Sequence, residues 1–203
     1  MTIDDIMNMA PVIPVLVLGD ELDPAALAET LVAAGLPVIE VTLRTPWALD
    51  ALHTMAGVTG AIVGAGTVRD AKMLDEAIGA GARFIVSPGL TEPLGRAAIA
   101  SGVPYLPGIA TAGDIMRGLD MGLSRFKFFP AEASGGRAAL KALSGPFPEL
   151  RFCPTGGIRM ESAADWLALD AVSCVGGSWI AGPEDKDLAA IGARARAAAT
   201  VGR

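Results

Sequence analysis

Apolar residues along this 203-residue chain fall into short continuous runs, each followed by a longer Ala/Leu-rich stretch in which apolar positions recur at helical spacing. The runs begin near Pro11, Val38, Thr59, Arg83, Pro104, Arg125, Arg151 and Ala171, so successive starts lie 20–27 residues apart. That interval fits a strand, a short loop and a helix, and the pattern reads as eight βα units. Runs without polar residues, such as Val-Ile-Pro-Val-Leu-Val-Leu (12–18), suit parallel strands buried on both faces. Eight units in one domain over residues 1–203 predict an α/β fold, a (β/α)8 TIM barrel with a short N-terminal helix within residues 2–10. A doubly wound open sheet is the competing arrangement, because the repeat alone does not prove closure.

Strand alternation then sorts side chains by face. In Arg-Phe-Lys-Phe-Phe-Pro (125–130), Phe126 and Phe128 share one face while Arg125, Lys127 and Phe129 share the other. Lys127, one of four lysines in the chain, thus sits in an apolar, β-prone run near a strand end, where barrels of this type place their chemistry. A lysine with an ordinary pKa of about 10.4 is neutral roughly once in two thousand at pH 7, and desolvation raises that fraction. A neutral amine attacks a carbonyl to form a Schiff base. The competing reading is a strand-end lysine that snorkels to solvent or pairs with a carboxylate.

The same alternation in Val-Ile-Glu-Val-Thr-Leu-Arg (38–44) puts Glu40, Thr42 and Arg44 on one interior face. A carboxylate there, close to a cation, is placed for proton transfer, and a rim arginine offers a planar fork to a substrate carboxylate. A structural ion pair of Glu40 with Arg44 or Lys127 is the alternative. Gly64-Ala65-Gly66-Thr67 ends the third run with glycines and a hydroxyl, suited either to a ligand or to an ordinary turn and helix N-cap. Thr155-Gly156-Gly157 and Gly176-Gly177-Ser178 end the seventh and eighth, where backbone N–H groups of such barrels cradle phosphate. Turn glycines without a ligand are the alternative there.

Composition narrows the partners. A net charge of −6 argues against nucleic acid or an anionic membrane as the main partner, so any phosphate must be held locally. Apolar runs are short and interrupted, and the Met-Thr-Ile-Asp-Asp start lacks the basic region of a signal peptide, which leads us to expect a cytoplasmic protein. Cys153 and Cys174 do not form a zinc pattern and read as small buried apolar groups. His53, the single histidine, reads as a surface or packing residue, which leaves neither a Ser-His-Asp triad nor a histidine-rich metal centre to build.

Eight segments together carry a family resemblance: Pro-Val-Ile-Pro-Val-Leu, Val-Ile-Glu-Val-Thr-Leu-Arg-Thr, Val-Gly-Ala-Gly-Thr-Val, Phe-Ile-Val-Ser-Pro-Gly, Tyr-Leu-Pro-Gly-Ile-Ala-Thr, Phe-Lys-Phe-Phe-Pro-Ala-Glu, Arg-Phe-Cys-Pro-Thr-Gly-Gly-Ile and Val-Gly-Gly-Ser-Trp-Ile. In order, from about residue 10 to 180, they resemble the 2-keto-3-deoxy-6-phosphogluconate (KDPG) aldolase family. The resemblance implies a metal-independent and cofactor-free class I aldolase of the Entner–Doudoroff pathway. Such an enzyme cleaves a phosphorylated keto sugar acid to pyruvate and glyceraldehyde 3-phosphate and assembles as a homotrimer. It implies Lys127 as the Schiff-base lysine and Glu40 as the general acid/base. Arg44 and Thr67 would hold the pyruvyl carboxylate, Phe129 and Thr155 would line the substrate, and Gly156, Gly157, Gly177 and Ser178 would hold the phosphate. Sister aldolases for the galactonate epimer or 4-hydroxy-2-oxoglutarate, and a non-catalytic phosphosugar-binding barrel, remain alternatives, with the Thr155 hydroxyl favouring the gluconate substrate. The roles of Arg125 and Glu132 stay open.

Overall fold

A computed structural model describes residues 1–202. After α1 (Ile3–Met7) and β1 (Val12–Leu16) the chain alternates through α2 (Pro24–Ala33), β2 (Val38–Thr42), α3 (Ala48–Ala56), β3 (Ile62–Gly66), α4 (Ala71–Gly79) and β4 (Ile85–Ser87). It continues through α5 (Glu92–Ser101), β5 (Tyr105–Ile109), α6 (Ala112–Asp120), β6 (Arg125–Phe128), α7 (Gly136–Ser144), β7 (Arg151–Pro154), α8 (Met160–Leu167), β8 (Val175–Gly177) and α9 (Leu188–Ala199). All strand pairs are parallel, in the order β7-β6-β5-β4-β3-β2-β1-β8. Single bridges Phe152↔Val172 and Thr155↔Gly176 join the two ends, so the sheet is a nearly closed barrel and not an open doubly wound sheet.

Local sequence sets the helix starts. Asp23 caps α2 by accepting from Ala25 N, with Pro24 at the first helical position, and Thr111 forms a capping box with Asp114 at α6. Alternate strand residues then build two cores. Ile85, Tyr105, Phe126, Phe128 and Phe152 pack outward with the helices, whereas Ile13, Val38, Phe84, Val86, Leu106, Cys153 and Cys174 fill the barrel interior together with Ile6 and Met7 of α1. Helix α1 therefore plugs the N-terminal end of the barrel. Arg125 Nε donates to Asp4 of that helix, which puts this arginine at the N-terminal end of the barrel.

Candidate active site

Strands β2 and β6 lie on opposite sides of an eight-stranded barrel, and their longest interior side chains meet across it. Lys127 Nζ lies 2.9 Å from Glu40 Oε1 and 3.1 Å from Oε2, with only 7% and 4% of the two side chains exposed. The carboxylate reaches this position because Gly66 has no side chain: a Cβ there would stand 2.2 Å from Glu40 Oε1. Gly64 likewise makes room for the Phe84 ring, at 2.5 Å from a would-be Cβ. Both third-strand glycines, for which the sequence left a ligand or an ordinary turn open, thus admit protein side chains. Phe129 stands over the amine, its ring centroid 5.5 Å from Lys127 Nζ.

Thr67, the next residue after Gly66, has φ of +62°, a backbone conformation that strains a β-branched residue. Its Oγ1 accepts from Arg44 Nε at 3.1 Å. The helix that follows is capped by Asp70, whose carboxylate accepts from Met73 N, so Thr67 is not the N-cap. Arg44 itself is exposed, just beyond β2, and forms no ion pair among the described residues. Thr42, expected on the same interior face, spends its hydroxyl on the Leu16 carbonyl at 2.8 Å.

On the other side of Phe129 lie the glycine loops. A Cβ on Gly156 would be 3.4 Å from Phe129 Cδ2. Gly156 and Gly157 both have positive φ, +105° and +81°, and the bridge Thr155↔Gly176 brings their loop beside Gly177 and the exposed Ser178. Thr155 is buried, and its side chain occupies the space that a Cβ on Gly176 would need. The β6 and β7 loops are laced together by Ala131 N donating to Thr155 O (2.8 Å) and Glu132 N to Gly156 O (3.0 Å). Glu132, left open by the sequence, supports this loop: its Oε1 accepts from the indole of buried Trp166 at 3.0 Å, and its side chain lies under Gly157. A continuous path therefore runs from Arg44 and Thr67, past Glu40, Lys127 and Phe129, to Gly156, Gly157 and Ser178.

Cys153 and Cys174 are free and buried inside the barrel. The hydrogen bond from Cys153 and then burial push the Cys174 thiol up, so it stays a neutral packing group, in keeping with the apolar reading of both. His53 is exposed, its Nδ1 3.3 Å from the Ala80 carbonyl, on the outside of the barrel. Among the described residues no group of three or more His, Cys, Asp or Glu side chains is placed to hold a metal ion, and no helix is long and apolar enough to cross a membrane.

A buried amine set against a carboxylate at the centre of a β/α barrel, with an arginine at the rim, is the arrangement that imine chemistry requires. The sequence profile of the aldolase family described as KDPG and KHG aldolase matches residues 3–194. A 2-dehydro-3-deoxy-phosphogluconate aldolase of Zymomonas mobilis is 54% identical over 201 residues, spanning 99% of this chain and 97% of that one. The crystal structure of the Zymomonas mobilis enzyme with 3-phosphoglycerate superposes with a TM-score of 0.96 at 54% identity, covering 99% and 96% of the two chains. The KDPG aldolase of Legionella pneumophila, with pyruvate captured at low pH as a covalent carbinolamine intermediate, gives a TM-score of 0.92 at 44% identity over 96% and 97%. The chain belongs to the KDPG and KHG aldolase family.

Proposed function

We propose that this chain is the class I aldolase that cleaves 2-dehydro-3-deoxy-6-phosphogluconate to pyruvate and glyceraldehyde 3-phosphate, with Lys127 as nucleophile and Glu40 as proton shuttle. The observation that carries the assignment of roles is the 2.9 Å contact between Lys127 Nζ and Glu40 Oε1, two almost completely buried side chains. Moving one proton across that contact turns the ion pair into a neutral amine and a neutral acid without creating net charge. The amine attacks the C2 keto carbon. Glu40, directly or through a water, protonates the departing hydroxyl of the carbinolamine and leaves an iminium.

The iminium is an electron sink. As Glu40 takes the proton of the C4 hydroxyl, the C3–C4 bond breaks, the aldehyde departs and the electron pair enters the imine as a neutral enamine. Protonation at C3 and hydrolysis release pyruvate and restore the amine. Arg44 and Thr67 hold the carboxylate end, Thr155 and Phe129 line the middle, and the Gly156-Gly157 and Gly177-Ser178 backbones receive the phosphate together with the Ser178 hydroxyl. Binding the remote phosphate fixes the reacting carbons against the amine, so it serves turnover as well as affinity. The reaction has its place in the Entner–Doudoroff pathway. Homotrimeric assembly belongs to the same reading, supported by exposed apolar side chains at Trp47 (49%), Ile99 (44%) and Met116 (58%). Light scattering tests it and should give a particle near three times the 20.6 kDa chain.

Borohydride reduction in the presence of pyruvate tests the chemistry: it should leave a pyruvate adduct on the peptide that contains Lys127. An adduct on Lys72, Lys141 or Lys186 would overturn the assignment.

A further inference from the structure

Ser87, at the end of β4, is completely buried, and its hydroxyl makes two contacts of equal length. Oγ lies 2.7 Å from the carbonyl oxygen of Gly89 and 2.7 Å from Tyr105 Oη. A carbonyl only accepts, so Ser87 spends its single proton on Gly89. Tyr105 must then be the donor to Ser87, and the chain of protons runs one way, from Tyr105 through Ser87 to the Gly89 carbonyl. Tyr105 is 4% exposed.

Alternation places this pair on the outer face of the sheet. Ile85 and Tyr105 pack in the outer core, whereas Phe84, Val86 and Leu106 pack inside the barrel. The turn that the hydroxyls hold, however, crosses to the inner face. A Cβ on Gly108 would stand 2.2 Å from the Pro88 carbonyl oxygen and 2.9 Å from Gly89 N, so the Pro88-Gly89 backbone rests directly on this glycine. Gly108 is the register partner of Lys127 on the neighbouring strand.

We propose that Tyr105 and Ser87 are positioning residues that act from outside the barrel, holding the Pro88-Gly89 turn against Gly108 to form the wall of the pyruvyl subsite beside Lys127. This inference rests on the aldolase reading above. Burial pushes the Tyr105 hydroxyl up to about 12, against a smaller opposite effect of Ser87, so the donor keeps its proton throughout the working range. The wall belongs to β4 and β5, while the phosphate loops belong to β7 and β8. Loosening the wall therefore changes how the keto carbon meets the amine and leaves the phosphate grip intact.

Tyr105→Phe removes one hydroxyl and keeps the ring. For this variant we expect kcat for cleavage and the rate of pyruvate methyl-proton exchange in heavy water to fall together, by about tenfold, because sub-ångström misplacement near a reacting centre is costly. KM for the phosphorylated substrate should stay within about threefold. Ser87→Ala should give a loss of similar size, and the double variant should be no worse than Ser87→Ala, since the two hydroxyls work in series. Ile191→Val, in the α9 core, serves as a stability control with unchanged rates. Cleavage and exchange within twofold of wild type in folded Tyr105→Phe would overturn the proposal, and so would additive losses in the double variant. If Ser87→Ala does not fold, Tyr105→Phe decides alone. Borohydride trapping on wild-type Lys127 separates the two readings: trapping with an unaffected Tyr105→Phe refutes only the wall, while absence of trapping refutes the imine mechanism.

Discussion

Each of the two central charges is tolerable only because the other is there. Removing one partner of a buried pair leaves an uncompensated charge and costs about 3–5 kcal/mol, so loss of activity on mutation must be separated from loss of fold. Glu40→Gln keeps the shape and the lysine, and by melting temperature it should remain folded. Cleavage and pyruvate exchange should then fall by ~10²–10⁴, the span of general acid–base catalysis, with slow residual borohydride trapping on Lys127. Lys127→Ala should abolish trapping and cleavage together. Arg44→Lys replaces a fork whose Nε is already engaged by Thr67 with a point charge, and it should raise KM for pyruvate by about tenfold, roughly 1.4 kcal/mol. Tyr105 gives an alkaline signature. Its folded value of about 12 lies above the ordinary 10.0, so its contribution to stability is complete below pH 10 and is lost as the pH rises toward 12. The loss is about 3 kcal/mol by linkage, and Tyr105→Phe should flatten the urea-unfolding free energy measured across that window.

At the scale of elements, the loops after β7 and β8 are the ones proposed to hold the phosphate, and substitutions there divide by geometry. Ser178 is exposed and its hydroxyl makes no hydrogen bond among the described residues, so Ser178→Ala should raise KM for the phosphorylated substrate several-fold, about 1 kcal/mol, and leave pyruvate exchange unchanged. Gly157 differs because φ is +81° and a Cβ would stand 2.8 Å from Glu132, so Gly157→Ala should both weaken substrate binding and destabilise the fold by about 1–3 kcal/mol. Elements of this kind were the legible part of the sequence. Strand starts expected near Val38, Arg125 and Arg151 fall on the observed residues, and the largest slip is at β8, expected near Ala171 and found at Val175. There Val172 makes only a single bridge before the chain turns, and an apolar turn is indistinguishable from a strand by composition. Alternation named Lys127 as one of two candidate partners for Glu40, but composition and alternation could not supply the partners of other groups. Nothing near Arg125 in sequence points to Asp4, 121 residues away, and nothing near Gly66 says that its missing side chain is space for Glu40. The lone polar residue in Phe-Ile-Val-Ser-Pro-Gly was the available sign of the Ser87 relay, but the strand run alone does not reveal a tyrosine across the sheet.

At the scale of the whole molecule, an imine mechanism carries its own electron sink, so activity should survive dialysis against EDTA with kcat unchanged. Loss of turnover restored by a divalent ion would contradict it. The eight-stranded architecture has another consequence, for assembly of the chain. Glu40 and Lys127 are 87 positions apart and come from opposite sides of the barrel. A folding intermediate built from β1 to β5 has the carboxylate without its ammonium, and one built from β6 onward has the reverse. Neither half can dehydrate its centre cheaply, because a lone charge resists transfer out of water. Half-barrels are therefore expected to stay wet and loose until the last strands arrive, which fragment 1–124 should show as a lack of cooperative urea unfolding. On that argument the Lys127–Glu40 pair couples the two halves and favours all-or-none closure of the barrel.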